Sequence, residues 1–215
     1  MKKAKKSKLN KLIAAATVVV LGSLGFALSS DASVWEGAPH MTVDEVEAVL
    51  FERLKGHGST AYRASAHELA LHLVQEAEAH GFRPEFVLSL IQTESSFKLD
   101  ARSNVGARGL MQLMPVTAHY IARKSHYEGF KKAKDLFNPY INISLGIRYL
   151  EYLREKFDSN EEHFLAAYNM GPSKLLQHLS RGNAVPVMHY VNSIRFGEAP
   201  IRDLGRRLVT FVANL

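Results

Sequence analysis

The 215-residue sequence contains no cysteine. Disulfide bonds are therefore excluded, and so is a lipid attached to a cysteine side chain. The sequence also lacks any useful length of alternating apolar and polar residues, which is the pattern of a half-buried β-strand, and it has no internal repeat. We therefore predict a mainly α-helical fold.

The net charge of +6 is concentrated at one end of the chain. Residues 1–32 contain six lysines and one aspartate, so the remaining chain carries a net charge of only about +1. A nearly neutral body lacks the basic surface with which proteins bind the phosphates of nucleic acids. We predict that the protein does not bind nucleic acid.

Residues 1–32 have the composition of an export signal. Lysines precede an apolar run over residues 12–28, and Ser30-Asp31-Ala32 fits a cleavage site with small residues. We expect a protein exported to the periplasm or cell envelope, with a mature chain that begins near Ser33. The alternative is an uncleaved leader whose residues 12–28 anchor the protein in the membrane, because this run is only slightly short of a membrane span.

Apolar residues at helical spacing predict a series of helices after a linker over residues 33–42. Pro84 and Pro115 each fit the first position of a helix, and Gly171-Pro172 fits a helix end. Residues 100–113 are predicted to be irregular. The predicted helices cover about residues 43–54, 61–79, 84–94, 115–124, 138–157, 161–169, 173–179 and 187–195.

Glu94 lies at the end of a predicted apolar helix. Apolar surroundings disfavour an ionised carboxylate, so they raise its pKa. A carboxyl group with a raised pKa stays protonated near neutral pH, as a general acid must. A single glutamate at a helix end is more often a solvated group or a cap, so Glu94 alone does not predict an enzyme.

Two later segments have residues suited to a ligand. Residues 106–115 contain two glycines, which permit close approach of the backbone, and Gln112, which offers both a donor and an acceptor. Tyr168 and Asn169 end a predicted helix with a ring that can stack on a sugar and an amide that can bind its polar groups. Each segment by itself also fits a structural role, as a turn or as a plain helix end.

In this order, the three segments resemble the catalytic domain of soluble-type lytic transglycosylases, a branch of the lysozyme superfamily related to goose-type lysozyme. Met170 departs from the family, which usually has alanine there, and we expect its bulk to reshape the groove near Asn169. The resemblance extends from Gly81 to Arg195. It rests on Glu94-Ser95, residues 109–115, residues 138–150, residues 168–172 and Tyr190-Val191.

The resemblance implies a lysozyme-like transglycosylase domain over residues 81–196. A linker and an N-terminal helical extension would precede it over residues 33–80, and a C-terminal tail would follow over residues 197–215. The implied substrate is the glycan strand of peptidoglycan, cleaved with a 1,6-anhydromuramic acid product and without a metal or cofactor. The sequence identifies no protein partner.

The resemblance also implies roles for individual residues. Glu94 would be the single catalytic acid/base, supported by Ser95, and the hydroxyl of Tyr190 would hold its carboxyl group. The implied substrate-binding residues are Ser95, Ser103, Met111, Gln112, Tyr168, Asn169 and Tyr190.

Two alternatives use the same fold. A hydrolytic muramidase would need a second carboxylate to position water, and the nearby candidates, Asp100 and Glu128, fall in no matching motif. A non-catalytic peptidoglycan-binding protein is the other. A metal enzyme is disfavoured, because His67 and His72 are five residues apart and so do not share a helix face as in zinc proteases; we interpret both as solvated.

Overall fold

Helices make up most of the chain in the computed structural model, which describes residues 40–54 and 65–214. The predicted mainly α-helical fold is confirmed. A 3-10 helix over Ala133–Phe137 accompanies the α-helices. The α-helices of the described residues are α1 (Val43–Leu54), α2 (Ala66–Ala79), α3 (Pro84–Ser95), α4 (Pro115–Lys124), α5 (Pro139–Lys156), α6 (Glu161–Met170), α7 (Pro172–Leu179) and α8 (Met188–Ala213).

The predicted export signal, its cleavage site and the alternative anchor over residues 12–28 lie outside the described residues, as does the predicted start of the second helix at residue 61. Among the helices that the structure describes, none combines the length and the apolar composition needed to cross a membrane.

Helix α8 is longer than predicted. The sequence suggested a short helix over about residues 187–195 and a tail beyond it, whereas α8 continues to Ala213 and includes Pro200. Its buried residues lie alternately three and four positions apart, and this stripe packs against α3 and α1. Burial of this stripe outweighs the one backbone hydrogen bond that a proline cannot donate. The stripe consists of Val191, Ile194, Glu198, Ile201 and Gly205.

Helix α3 lies in the core and carries Glu94 near its C-terminal end. All residues from Pro84 to Ile91 are buried, so this helix has no solvent-facing side along most of its length. The helix ends at once after Ser95, because Ser96 and Phe97 adopt left-handed conformations with φ of 51° and 63°. The fully buried Phe97 ring holds this turn in the core. Glu94 is thus presented where the core meets the surface.

Helix α5 fixes the irregular segment that follows α3. The buried side chain of Asn142 accepts a hydrogen bond from the Met111 amide at 2.7 Å. It also donates to the carbonyl oxygens of Arg108 and Leu136, both at 2.9 Å. Gly109 has φ +75°, and a Cβ atom there would lie 2.2 Å from the Leu136 oxygen. Only glycine permits this approach, which places Gln112 beside the end of α3.

Helices α3 and α8 approach each other closely. The Ser89 hydroxyl donates to the Ile194 carbonyl at 2.6 Å, and a Cβ atom at Gly197 would lie 2.2 Å from the Ser89 oxygen. Arg83 at the start of α3 forms an ion pair with Glu198 of α8. These contacts fix the position of Tyr190, in the first turn of α8, relative to Glu94.

Candidate active site

A groove of about 550 Å³ opens beside the C-terminal end of α3. One side is formed by the segment between α3 and α4, and the other by the junction of α6 with α7. Glu94 lies in the groove between these two sides. The lining residues are Glu94, Ser103, Val105, Ala107, Gln112, Leu113, Met114, Thr117, Tyr149, Tyr168, Asn169, Met170, Gly171 and Lys174.

The carboxyl group of Glu94 accepts a hydrogen bond from the Tyr190 hydroxyl at 2.5 Å. Burial raises the pKa of Glu94 from 4.5 to about 7, although the hydrogen bond from Tyr190 acts to lower it. Desolvation therefore outweighs stabilisation of the anion by the hydroxyl. Near neutral pH, Glu94 exists in both protonation states, so it can donate a proton and accept one.

Two further tyrosines, Tyr149 and Tyr168, line the groove and pack against each other. The Tyr168 hydroxyl donates to the Met111 carbonyl at 2.7 Å, and the Tyr149 ring lies 5.2 Å from the Tyr168 ring between centroids. Burial raises the pKa of Tyr149 to about 12 and that of Tyr168 well above its usual value. Burial and the nearby Glu94 carboxylate likewise raise the pKa of Tyr190. All three therefore remain neutral at physiological pH.

Gln112 and Ser103 line the opposite side and are held by the backbone. Gln112 has φ +46°, and its side-chain nitrogen donates to the carbonyl oxygens of Ala101 at 3.2 Å and Gly109 at 2.9 Å. Its amide oxygen is therefore the group that can accept a hydrogen bond from a ligand. The Ser103 hydroxyl accepts from the Ala107 amide at 3.0 Å, which leaves its own proton to donate.

Five of the residues predicted from the resemblance line the groove: Glu94, Ser103, Gln112, Tyr168 and Asn169. Tyr190 does not line the groove, and its hydroxyl donates a hydrogen bond to the Glu94 carboxyl group.

Met111 and Ser95 were predicted to bind substrate, but neither residue lines the groove. The Met111 side chain is fully buried and packs against Gly146, where a Cβ atom would lie 2.3 Å from its sulfur. Its contribution to the site is the backbone carbonyl that receives Tyr168. The Ser95 hydroxyl is buried and donates to the Ile91 carbonyl at 3.1 Å, so it stabilises the end of α3 and does not line the groove.

Tyr149 and Lys174 also line the groove, although neither was predicted to have a role there. Tyr149 belongs to one of the segments that carried the resemblance, so a signal for it was present. Lys174 follows the helix break at Gly171-Pro172 by two residues, and no pattern distinguishes it. Met170, the expected departure from the family, also lines the groove beside Asn169.

Within the described residues, Glu94 is the only carboxylate that lines the groove. Asp100 is exposed and lies outside it. Glu128 lines a separate cavity of about 360 Å³ with His119 and Arg123. Neither candidate for a second catalytic carboxylate is thus available to position a water molecule at a substrate bound beside Glu94.

The two histidines of α2 have separate partners. The Nδ1 atom of His67 forms a hydrogen bond with the Glu47 carboxylate at 2.7 Å. His72 is half-buried and contacts the Tyr140 carbonyl at 3.1 Å and the Ser144 hydroxyl at 3.0 Å, so the prediction that it is solvated was wrong. In the described part of the chain, Asp44, Glu47 and His67 have ligand atoms within 4.8 Å of one another. This surface group does not line the groove.

Part of this chain is similar in sequence to known proteins. The soluble lytic murein transglycosylase of Escherichia coli (strain K12) is 32% identical over 114 residues, which is 53% of this chain and 18% of that protein. The membrane-bound lytic murein transglycosylase C of Histophilus somni (strain 2336) is 34% identical over 141 residues, 61% of this chain and 38% of that protein. The chain thus spans well under half the length of these relatives.

A solved structure supports the same fold at lower identity. The 70-kDa soluble lytic transglycosylase of Escherichia coli superposes with a TM-score of 0.57 at 20% identity, over 77% of this chain and 29% of that one. The family model described as the transglycosylase SLT domain matches residues 73–188, more than half of the sequence. This chain therefore belongs to the transglycosylase SLT domain family.

Proposed function

We propose that this protein is a lytic transglycosylase of peptidoglycan. It cleaves the β-1,4 bond between N-acetylmuramic acid and N-acetylglucosamine, and Glu94 serves as its single acid/base. Membership of the SLT domain family supports this activity, as do relatives named lytic murein transglycosylases.

The observation that carries the proposal is that Glu94 has no second carboxylate beside it among the described groove residues. Burial raises the pKa of Glu94 to about 7. A typical glycoside hydrolase uses two carboxylates, one as an acid and one as a base or nucleophile. A groove with one carboxylate favours a reaction in which the substrate supplies the attacking group.

The reaction requires Glu94 to donate one proton and then to accept another. The protonated carboxyl group donates to the glycosidic oxygen, the C1–oxygen bond breaks, and N-acetylglucosamine leaves. The acetamido group of muramic acid stabilises the developing positive charge at C1. The Glu94 carboxylate then removes the proton of the C6 hydroxyl, whose oxygen bonds to C1 and forms the 1,6-anhydro ring. Glu94 ends protonated, and no water is consumed.

Intramolecular attack has a physical advantage over attack by water. A correctly oriented intramolecular group avoids a loss of translational and rotational entropy that is worth roughly 7–11 kcal/mol. Water would gain a comparable advantage only from a residue that holds it, and neither Asp100 nor Glu128 lines the groove. Capture of C1 by the C6 hydroxyl is therefore the favoured route.

The neutral groups of the groove suit the uncharged sugar rings of the substrate. We assign substrate contacts to Ser103, Gln112, Tyr168 and Asn169, which offer hydroxyl, amide and ring groups. We assign Tyr190 to hold the Glu94 carboxyl group in position, on the basis of their 2.5 Å hydrogen bond.

Mass spectrometry of products from purified sacculi tests the proposal. The wild-type protein should release muropeptides that end in 1,6-anhydro-N-acetylmuramic acid, lighter by one water than reducing-end products. E94Q should lower the rate of their release by at least about 10²–10⁴, because glutamine can neither donate the first proton nor accept the second. E78Q, which removes the same charge from the exposed face of α2, is the matched control.

Two results would contradict the proposal. Products with free reducing ends would identify a hydrolytic muramidase. Binding to sacculi without turnover would identify a non-catalytic peptidoglycan-binding protein.

Peptidoglycan lies outside the cytoplasmic membrane, so this function requires export. We propose that residues 1–32 direct it, and N-terminal sequencing of the protein from the envelope should find a chain that begins near Ser33. An intact Met1 in the membrane fraction would indicate an anchor instead of a cleaved leader.

A further inference from the structure

Lys174 supplies the groove with a positive charge. Among the described residues, it is the only lysine or arginine that lines the groove, and it makes no ion pair or hydrogen bond with any of them. The single lining carboxyl group, Glu94, is about half protonated near pH 7 and therefore offsets this charge only in part. The groove thus presents an ammonium group that has no partner within the described protein.

The backbone around Lys174 is well anchored although its side chain is exposed. Lys174 lies in the first turn of α7, and the next residue, Leu175, is fully buried. Helix α7 packs against α6, whose end carries Asn169 and Met170 on the same side of the groove. A flexible lysine on this fixed backbone can reach a charged group beside the sugars that these residues contact.

The chemistry of peptidoglycan supplies such a group. Its sugar rings are uncharged, but each N-acetylmuramic acid carries a lactyl substituent. That substituent ends in a carboxylate when it is free, and it holds a carboxylate-bearing peptide stem when it is substituted. A glycan of N-acetylglucosamine alone has neither. A lysine at the rim is therefore suited to distinguish muramic acid polymers from neutral glycans of the same geometry.

We propose that Lys174 binds a carboxylate on the lactyl substituent of muramic acid and thereby selects anionic strands over neutral ones. This inference rests on the proposed function, because it assumes that a glycan strand occupies the groove. The contact acts on binding and leaves the proton transfers at Glu94 unchanged.

Two substitutions at Lys174 distinguish the effect of its charge from the effect of its side-chain size. K174M removes the charge and keeps much of the apolar stem, while K174R keeps the charge. An exposed ion pair is worth up to about 1 kcal/mol, which corresponds to about fivefold in kcat/KM. K156M removes a lysine from the exposed C-terminal end of α5, outside the groove, and is the control for net charge.

The experiment measures release of glycan fragments by the full-length protein from three soluble substrates. The first is uncross-linked peptidoglycan strands with their stems. The second is strands from which an amidase has removed the stems, leaving lactyl carboxylates. The third is stem-bearing strands whose carboxylates have been converted to neutral amides. Each is assayed at low and high ionic strength.

Wild type, K174R and K156M should cleave the first substrate about fivefold more efficiently than the amidated one, through a lower KM. K174M should lose this preference at unchanged kcat, and added salt should reduce the preference of the wild type. A K174M defect on stem-free strands assigns a contact to the free lactyl carboxylate, because removal of the stems leaves that carboxylate as the anionic group. A defect confined to stem-bearing strands assigns it to the stem.

The inference is overturned if the wild type cleaves charged and amidated strands equally well, or if K174M slows both by the same factor. Both results leave the proposed function standing. Absence of any cleavage by the wild type would instead contradict the proposed function itself.

Discussion

Replacing Glu94 with glutamine should change the pH dependence of folding stability as well as turnover. Burial raises the pKa of Glu94 from 4.5 to about 7 in the folded protein. In the unfolded chain the group is solvated, and its pKa returns to the lower value. Between these two values the folded protein holds a proton that the unfolded chain has released. The contribution of protonated Glu94 to the free energy of unfolding is fully present below about pH 4.5 and is lost as the pH rises through about 7.

The size of the effect follows from the same two values. For a pKa of 4.5 in the unfolded chain and about 7 in the folded protein, the contribution of Glu94 falls by about 2.5 kcal/mol between pH 5 and pH 8. Glutamine has no proton to lose, and its side-chain oxygen can still accept the hydrogen bond from Tyr190. The free energy of unfolding of the wild type should therefore fall by about 2.5 kcal/mol more than that of E94Q over this interval.

Urea unfolding followed by circular dichroism at pH 5 and pH 8 measures this difference. Other groups that titrate in the interval cancel between the two proteins; Glu198, whose pKa is also raised to about 7 by burial, is present in both. E78Q controls for the loss of one negative charge at an exposed position. Parallel pH dependences for wild type and E94Q would refute the argument, because Glu94 would then titrate alike in the folded and unfolded states.

Two other substitutions test the contacts around the site. Y190F removes a hydrogen bond that lowers the pKa of Glu94, so the fall in kcat/KM on the alkaline side should move to higher pH, and an unmoved pH profile would contradict this role. N142A leaves the buried Met111 amide and the carbonyl oxygens of Arg108 and Leu136 without their partner. It should lower the free energy of unfolding by about 2–4 kcal/mol in urea, and a loss below about 1 kcal/mol would show that water replaces the side chain.

Local sequence rules predicted most helix boundaries because the signals lie within each helix. Pro115 begins α4 at the predicted position, and the Gly171-Pro172 break separates α6 from α7. Helix α8 was predicted too short because the interactions that extend it come from distant helices. Gly197 and Pro200 disfavour a helix locally, yet Gly197 is the position that lets α8 contact Ser89 of α3.

Most residues of the site were predicted from the sequence, but the contacts that hold them in place were not. The resemblance placed Met111 in the groove, but its side chain fills the space left by Gly146 of α5. Asn142, one turn earlier on the same helix, binds the backbone of Met111. These contacts join residues more than 30 positions apart, so no local pattern reveals them. The segment that carries Asn142 and Gly146 thus contributes to the site by holding the loop that presents Gln112.

The protonation state of Glu94 depends on packing that lies away from the groove. Tyr190 reaches Glu94 from α8, and Gly197, two turns further along the same helix, contacts Ser89 of α3. An added side chain at Gly197 would displace the Ser89 hydroxyl and break its hydrogen bond to the Ile194 carbonyl. We expect this to loosen the contact between α3 and α8 that holds the Tyr190 hydroxyl beside the Glu94 carboxyl group. Water admitted at that point would relieve the desolvation that raises the pKa of Glu94. The acid is therefore tuned by the fit between α3 and α8 as much as by the residues that face the substrate.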